Sequence, residues 1–317
     1  MKWYEFTPAD TLFFRGAEPL AAGMDYEVSL AFPPSASVLS GAIRSAVLAQ
    51  KGISIEDYKS GHEISALIGD YGQDSPFKIL GPLLRYEGDD LVPAPYTWFF
   101  EKDTKGSDIP IIKPLKIDVQ TRQKLGLKTA GKLAYWPASR NDVKSIGGSW
   151  ILLQFLSGKK TIFGAGTSIF MTSNGMDKLY SVESRTGIAM DSNRNVIESQ
   201  LYNSRHIRLN RQVSLIWAID QDCGLSKQGV LSLGGEQRFG AYHELDCPPD
   251  FPESGEQFLC LSPVPVNDES SEALIGTGEI IYRGGWDMAK QSHKDMIGYY
   301  PAGSVFNKNI KHCCVAF

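Results

Sequence analysis

The residues best suited to binding chemistry lie in one short stretch, residues 231–240 (LSLGGEQRFG). Two adjacent glycines adopt backbone angles closed to other residues and let a ligand approach the main chain closely. An arginine just beyond them can bind a phosphate or a carboxylate through two parallel hydrogen bonds. The stretch therefore predicts either a polyanion site built on Gly234, Gly235 and Arg238, or a hairpin turn with a surface ion pair.

Two known phosphate-binding loops do not match this stretch. No Gly-Lys-Ser/Thr follows the glycines, which excludes a Walker loop, and the Gly-x-Gly-x-x-Gly dinucleotide pattern is absent here. The five cysteines also lack the paired spacing of a zinc site, because Cys247, Cys260, Cys313 and Cys314 form no C-x-x-C pair. We therefore expect no metal and no cofactor.

Two histidines could offer a general base for RNA cleavage, namely His243, a few residues after the glycine loop, and His206. His206 lies between Arg205 and Arg208, and such a histidine is more often a binding or surface residue than a catalytic one. Because a general base is nevertheless available, a guide-processing endoribonuclease stays an alternative. A carbohydrate or small-ligand module is a second alternative, which the net acidity suits but the basic residues near glycine turns do not.

The charge and hydropathy of the 317 residues restrict the partners further. The formal net charge is -4, so any nucleic acid must bind a local basic patch or a groove completed by another protein. The N-terminus has no secretory signal, and no apolar run approaches the ~20 residues of a membrane helix. These features predict a cytoplasmic protein without a membrane partner.

Short strands joined by turns dominate the predicted secondary structure, which indicates an α+β fold. We expect strands over 2–12 and 213–219, a hairpin over 151–163, and a helix after Pro33 and Pro34 that Ser35 or Ser37 caps. Residues 101–140 show little periodicity and read as a long insertion or flexible arm.

An ordered set of motifs then resembles one known family, the RAMP proteins of CRISPR systems, and within it the third subunit of the Cmr-type (type III-B) effector complex. The motifs span nearly the whole chain and occur in the family's order. They are 13–16 (FFRG), 32–45 (FPPSASVLSGAIRS), 184–191 (SRTGIAMD) with 201–202 (LY) and 207–209 (IRL), 233–238 (LGGEQR), 284–290 (GGWDMAK) and 300–306 (YPAGSVF). The arm at 101–140 matches no motif.

This resemblance implies two ferredoxin-like (RRM-like) domains, which we place at 1–165 and 166–317, with the insertion in the first and a glycine-rich loop near 229–240 in the second. It implies a non-catalytic subunit that binds the 5′ tag of the guide RNA. Its protein partners would be the large polymerase-like subunit and neighbouring RAMP subunits, and its contact with target RNA would be indirect.

The predicted RNA-binding residues combine the motifs with residue chemistry. Serine hydroxyls and free N–H groups at a helix start suit phosphates, arginine and lysine suit phosphates, and tryptophan stacks on bases. The predicted set is Arg15, Ser37, Ser40, Arg44, Ser45, Gly234, Gly235, Arg238, Trp286 and Lys290.

Overall fold

A computed structural model gives the fold. It describes residues 1–14, 31–101, 108–116, 118–124, 126, 135–137, 142–158, 162–164, 169–170, 179–284, 286–287, 292–310 and 313–317. Arg15, Lys290 and much of the predicted arm at 101–140 lie outside the described residues.

Helices are few and strands are many. The helices are α1 (Ala36–Gln50), α2 (Ile55–Lys59), α3 (Ser65–Ile68), α4 (Val119–Lys124) and α5 (Asp268–Ala273), with a 3-10 turn at Leu153–Phe155. The strands are β1 (Lys2–Pro8), β2 (Ile79–Tyr86), β3 (Asp89–Pro93), β4 (Phe99–Glu101), β5 (Asp108–Pro110), β6 (Pro114–Lys116), β7 (Tyr135–Pro137), β8 (Val143–Ser145), β9 (Trp150–Leu152), β10 (Ile162–Gly164), β11 (Ile169–Phe170), β12 (Tyr180–Met190), β13 (Val196–Leu209), β14 (Val213–Ile219), β15 (Gln228–Ser232), β16 (Phe239–Glu244), β17 (Phe258–Cys260), β18 (Val264–Pro265), β19 (Leu274–Gly276), β20 (Ile281–Arg283), β21 (Trp286–Asp287), β22 (Ser292–His293), β23 (Ile297–Tyr300), β24 (Val305–Phe306) and β25 (Cys314–Ala316).

The chain forms two compact units, each assembled from separated segments. Unit 1 is Met1–Pro82, Leu179–Asp246 and Tyr282–Ile297, and unit 2 is Leu83–Lys178, Cys247–Ile281 and Gly298–Phe317. In unit 1, β1 at the N-terminus pairs with β14 and β16. The division into domains at 1–165 and 166–317 stays a prediction. The assignment of two ferredoxin-like domains stays a prediction.

Unit 1 is built on an antiparallel arrangement around the first strand. β1 lies between β14 and β16, and β15 follows at the edge. Helix α1 contacts β15 and buries Leu39, Ile43 and Val47 completely. Burying each of these side chains contributes roughly 1.5–3 kcal/mol. The helix begins as predicted, since the Ser35 hydroxyl accepts the N–H of Val38 at 3.4 Å.

A long two-stranded hairpin also belongs to unit 1. β12 and β13 pair from Tyr180–Leu209 to Met190–Val196, and a bulge interrupts the register near the tip. The base of the hairpin is fixed by main-chain hydrogen bonds in both directions between Leu12 and Ile207, at 2.7 and 2.8 Å. The proximal end of the hairpin is therefore tied to the segment that follows β1.

Unit 2 contains several smaller arrangements of strands, of which two are the most extensive. In one, β3 pairs with β2 and β9, and β11 pairs with β9. In the other, β17 lies between β24 and β25, and Cys260, Val264, Phe306, Ile310 and Cys314 pack in a buried core beside it.

The mixed fold with mostly antiparallel sheets and few helices agrees with the predicted class, and β14 confirms the strand predicted at 213–219. The hairpin predicted over 151–163 is wrong: β9 ends in a 3-10 turn, and β10 pairs instead with β5. The segment 101–140 also contains folded elements, namely β5, β6, β7 and α4. None of the described helices has the length and hydropathy of a membrane-spanning segment.

Candidate nucleic-acid interface

The glycine pair lies in the loop that joins β15 to β16. The N–H of Leu233 donates to the carbonyl of Arg238 at 2.8 Å, and the N–H of Arg238 donates to the carbonyl of Gly235 at 3.3 Å. Positive φ angles at Gly234 (91°), Glu236 (54°) and Gln237 (54°) let the loop turn this tightly. The loop therefore forms a tight hairpin turn, which was one of the two interpretations that the sequence allowed.

The close approach that the glycines permit is made by the chain itself. The N–H of Gly235 donates to the main-chain carbonyl of Phe13 at 2.8 Å. A Cβ at Gly234 would lie 2.5 Å from the same carbonyl oxygen and 3.0 Å from the Phe14 ring. Gly235 therefore uses its amide within the fold, while Gly234 provides room for residues 13 and 14.

Helix α1 divides the predicted residues between two faces. Arg44 faces the segment after α3, where its guanidinium donates to the carbonyls of Gln73 at 2.7 Å and Asp70 at 2.6 Å, and to the Tyr58 hydroxyl. On the same side the Ser40 hydroxyl donates to the Ser75 hydroxyl at 2.9 Å. These bonds give Arg44 and Ser40 evident structural roles in holding residues 69–75.

The other face of α1 is open to solvent. Ser37, Gly41 and Ser45 are exposed and stand four residues apart, so they form one line along the helix. Apart from the helix's own backbone, no atom of the described residues lies within 4 Å of a Cβ placed at Gly41. The Ser37 hydroxyl hydrogen-bonds that of Ser35 at 2.8 Å, and the Ser45 hydroxyl donates to the Gly41 carbonyl at 3.0 Å. Along this line the helix surface carries only glycine and serine side chains.

Trp286 lies in β21, where its main chain pairs with His293 of β22. Its place in the predicted site stays a prediction. Arg15 and Lys290 lie outside the described residues, so their place in the predicted site stays a prediction.

An ion-pair cluster that the sequence did not reveal surrounds Asp10. Its carboxylate lies 2.9 Å from Arg208 Nη1, 3.3 Å from Arg238 Nη1 and 3.7 Å from Arg185 Nη2. Although partial burial acts in the opposite direction, hydrogen bonds from Arg208 and the Thr11 main chain lower the pKa of Asp10, as do the charges of Arg208 and Arg185. We call Arg185, Arg208, Arg238 and Asp10 the Asp10 cluster.

Two further carboxylates also form ion pairs with the arginines of the Asp10 cluster. Glu183 binds Arg208 through its Nε and, at 3.2 Å, through its Nη2, and it lies 3.3 Å from Arg185. The hydrogen bond from Arg208 is the main reason that the pKa of Glu183 is lowered. Glu236 lies 3.3 Å from Arg238 Nη2.

His206 connects the cluster to the interior. Its side chain is fully buried and stacks on the Phe13 ring with centroids 5.1 Å apart. Nδ1 lies 3.2 Å from the Thr11 hydroxyl, while Nε2 lies 3.1 Å from the Ser204 hydroxyl and 3.3 Å from Glu236. Burial lowers the pKa of His206, although the charge of Glu236 opposes this. In a neutral ring that carries its proton on Nε2, Nδ1 accepts from the Thr11 hydroxyl and the Nε2 N–H is shared between Ser204 and Glu236.

Part of this cluster follows from strand alternation and part does not. In the observed register Glu183 pairs with His206 and Arg185 with Ser204, so a correct hairpin prediction would have placed these side chains on one face. The pairing with Asp10 has no local signal, because that residue is distant in sequence. No group of three or more His, Cys, Asp or Glu side chains among the described residues is arranged to hold a metal ion.

The fold is shared with subunits of CRISPR effector complexes. The chain superposes on a subunit in a cryo-EM structure of the type III-B Cmr-beta complex bound to cognate target RNA with a TM-score of 0.55 and 18% sequence identity, covering 96% of this chain and 86% of that one. A second state of Cmr-beta, bound to cognate target RNA and AMPPnP, gives a TM-score of 0.54 at 18% identity, covering 96% of this chain and 85% of the other.

The sequence comparison identifies the family. The family model for the CRISPR-associated protein Cas_Cmr3 matches residues 4–272, so the chain belongs to the Cas_Cmr3 family. The CMR subunit Cmr3 of Saccharolobus solfataricus is 27% identical over 153 residues, which is 45% of this chain and 49% of that protein. The alignment thus spans about half the length of this curated relative. The resemblance deduced from the motifs is confirmed.

Proposed function

We propose that this chain is a non-catalytic subunit of a type III-B CRISPR complex that binds the 5′ tag region of the guide RNA. In this proposal it also contacts the large polymerase-like subunit and neighbouring RAMP subunits, and meets target RNA only through the guide. It would be built on two ferredoxin-like domains and would act in the cytoplasm. The observation that carries the proposal is the family match over residues 4–272.

The open face of α1 supports an RNA-binding role. Ser37, Gly41 and Ser45 present small, exposed side chains near the helix start, and a Cβ at Gly41 would meet no described atom outside the helix's own backbone within 4 Å. Main-chain N–H groups at a helix N-terminus and hydroxyls can both donate to phosphates, and neither adds positive charge. This suits a chain of net charge -4 that relies on local contacts.

The distal part of the β12–β13 hairpin supports contact with a neighbouring subunit. Ile188, Met190, Val196 and Leu201 expose between 42% and 58% of their surface. A two-stranded hairpin alone is only marginally stable in water, and exposed apolar side chains of this kind gain from a protein partner.

Copurification tests the protein contact. Met190→Asp together with Leu201→Asp should lower recovery of the other subunits with this chain in a co-expressed complex. Val230→Asp is the matched control, because Val230 is also an exposed apolar residue, at 63%, but lies on β15. Equal recovery with both variants would contradict a subunit contact at the hairpin.

The guide contact is tested in the assembled complex. The complex is purified through a tag on this chain, ultraviolet light cross-links the bound RNA, and sequencing locates the cross-linked nucleotides. Ser37→Asp with Ser45→Asp should reduce cross-links to the 5′ tag, since added carboxylates repel phosphates. Ser254→Asp, at an exposed position of unit 2, is the control. Wild-type cross-links outside the tag would overturn the assignment.

The alternative of a guide-processing endoribonuclease is separated by incubating the purified chain with repeat RNA. The proposal expects no cleavage above that of a mock preparation. Cleavage that His206→Gln abolishes while the protein stays folded would favour the nuclease instead. The full burial of His206 is the reason that we do not expect this result.

A further inference from the structure

The Asp10 cluster has the composition of an anion site whose centre is filled by a carboxylate of the chain itself. Arg185 and Arg208 come from the hairpin and Arg238 from the glycine loop, and all three meet at Asp10. We propose that a backbone phosphate of single-stranded RNA displaces the Asp10 carboxylate and binds these three arginines. That the anion is RNA rests on the proposed function.

The arginines stay oriented when Asp10 leaves. Glu183 continues to hold Arg185 and Arg208, and Glu236 continues to hold Arg238. Glu236 is in turn fixed by its 3.3 Å contact with the buried His206. Groups that are already held in their binding geometry lose little conformational entropy when a ligand arrives, so this site is preorganised.

The charges match a one-for-one exchange. The three arginines face three carboxylates, those of Asp10, Glu183 and Glu236, so these six side chains together are neutral. Removal of Asp10 leaves one positive charge, and a phosphodiester carries one negative charge. Each guanidinium has five N–H donors in a planar fork that fits phosphate oxygens.

The site is accessible from solvent. The side chains of Asp10 and Arg208 are 48% and 44% exposed, and that of Arg185 is 36% exposed. Asp10 follows the end of β1 and lies outside any helix or strand, so its side chain can move without breaking a strand. A ligand can therefore reach the position of the carboxylate, and the carboxylate can leave it.

A gain of affinity distinguishes this proposal from a purely structural ion-pair cluster. Asp10→Asn removes the internal competitor and should tighten binding of a labelled short single-stranded RNA to the full chain by roughly three- to tenfold, as expected when one charge-assisted contact no longer has to be broken. Asp222→Asn is the matched control, since Asp222 is an exposed carboxylate of the same unit that pairs with Lys2 at 3.9 Å. It makes the same change in net charge but should leave the affinity nearly unchanged.

Arg208→Gln gives the complementary result. It should weaken RNA binding and reduce the slope of log affinity against log salt by about 0.7, the value for one phosphate contact on a single strand. Asp10→Ser and Arg185→Gln serve as second variants should either first choice unfold, and thermal melting on the same preparations reports the folded fraction.

The possible outcomes distinguish a failure of the phosphate site from a failure of the proposed function. If Asp10→Asn binds RNA no more tightly than Asp222→Asn, the phosphate site is overturned while the proposed function stands. If polyglutamate competes better than RNA for Asp10→Asn, the site belongs to an acidic protein segment and the proposal is likewise overturned. If the native complex copurifies without guide RNA, the proposed function itself fails.

Discussion

The main-chain N–H of Gly235 donates to the main-chain carbonyl of Phe13 at 2.8 Å, which joins the glycine loop to the segment after β1. Asp10, Thr11 and Phe13 in that segment then contact Arg238, His206 and the hairpin base. The glycine loop, which the sequence singled out for its binding chemistry, is therefore a junction between three parts of unit 1. Its glycines are needed for packing, and its arginine belongs to the Asp10 cluster.

Gly234→Ala should destabilise the protein. The residue has φ of 91°, and the new Cβ would lie 2.5 Å from the Phe13 carbonyl oxygen, so strain and steric overlap act together. We expect the free energy of unfolding to fall by more than about 1 kcal/mol. Chemical denaturation measures this loss.

Gly41→Ala is the control, and its effect on the free energy of unfolding should have the opposite sign. It adds a methyl group to the interior of α1 where, outside the helix's own backbone, no described atom lies within 4 Å, and it should raise stability by about 0.5–1 kcal/mol. Equal effects of Gly234→Ala and Gly41→Ala would contradict the packing role of the glycine loop.

Arg44→Ala should lower the stability of the folded protein, and any loss of bound guide RNA should follow from that loss of stability. The guanidinium donates to the carbonyls of Asp70 and Gln73, and hydrogen bonds to charged groups contribute about 1.5–3 kcal/mol. Arg211→Ala, at an exposed position before β14, is the control and should change stability little. The measurement is thermal melting together with guide RNA recovered per folded complex. Normal stability with reduced RNA would instead favour the direct RNA contact predicted from the sequence.

His206 makes stability depend on pH. Burial lowers its pKa in the folded state, so below the ordinary value of 6.5 the unfolded chain binds more protons than the folded one. The stability that neutral His206 contributes is fully present above pH 6.5, and it is lost as the pH falls towards the lowered pKa of the folded state. Urea unfolding at pH 7.5 and at successively lower pH should show this decline.

Two variants identify the group responsible for that decline. His206→Gln should flatten the pH dependence in this window, whereas His243→Gln removes an exposed histidine and should preserve it. A decline that persists unchanged in His206→Gln would assign the effect to another group.

The cysteines should differ widely in reactivity. The hydrogen bond with Cys260, together with burial, raises the pKa of Cys314 to about 12, although a hydrogen bond with Cys313 opposes this. The thiolate is the nucleophile, so Cys314 should resist alkylation at pH 8 while the exposed Cys247 reacts first. Mass spectrometry of the native protein after timed alkylation checks the order. Denatured protein is the control and should react at both positions, and fast native labelling of Cys314 would contradict its burial.

The sequence by itself determined the local elements and the family. Pro33, Pro34 and Ser35 with the apolar spacing that follows specify the start and the buried face of α1, because capping and amphipathicity are local properties. The apolar run at 213–219 specifies β14 for the same reason. The ordered motifs specified the family, although they did not tell which motif residues bind RNA and which hold the fold.

Only the tertiary structure decided which strands pair and which side chains meet. β10 pairs with β5 rather than with its sequence neighbour β9, and β1 pairs with β14 and β16 across most of the chain. Arg44 satisfies carbonyls of residues 70 and 73, which no local pattern indicates. The Asp10 cluster likewise exists only because the hairpin register, the glycine loop and the end of β1 converge. Such contacts depend on the packing of segments distant in sequence, and residue spacing carries no information about them.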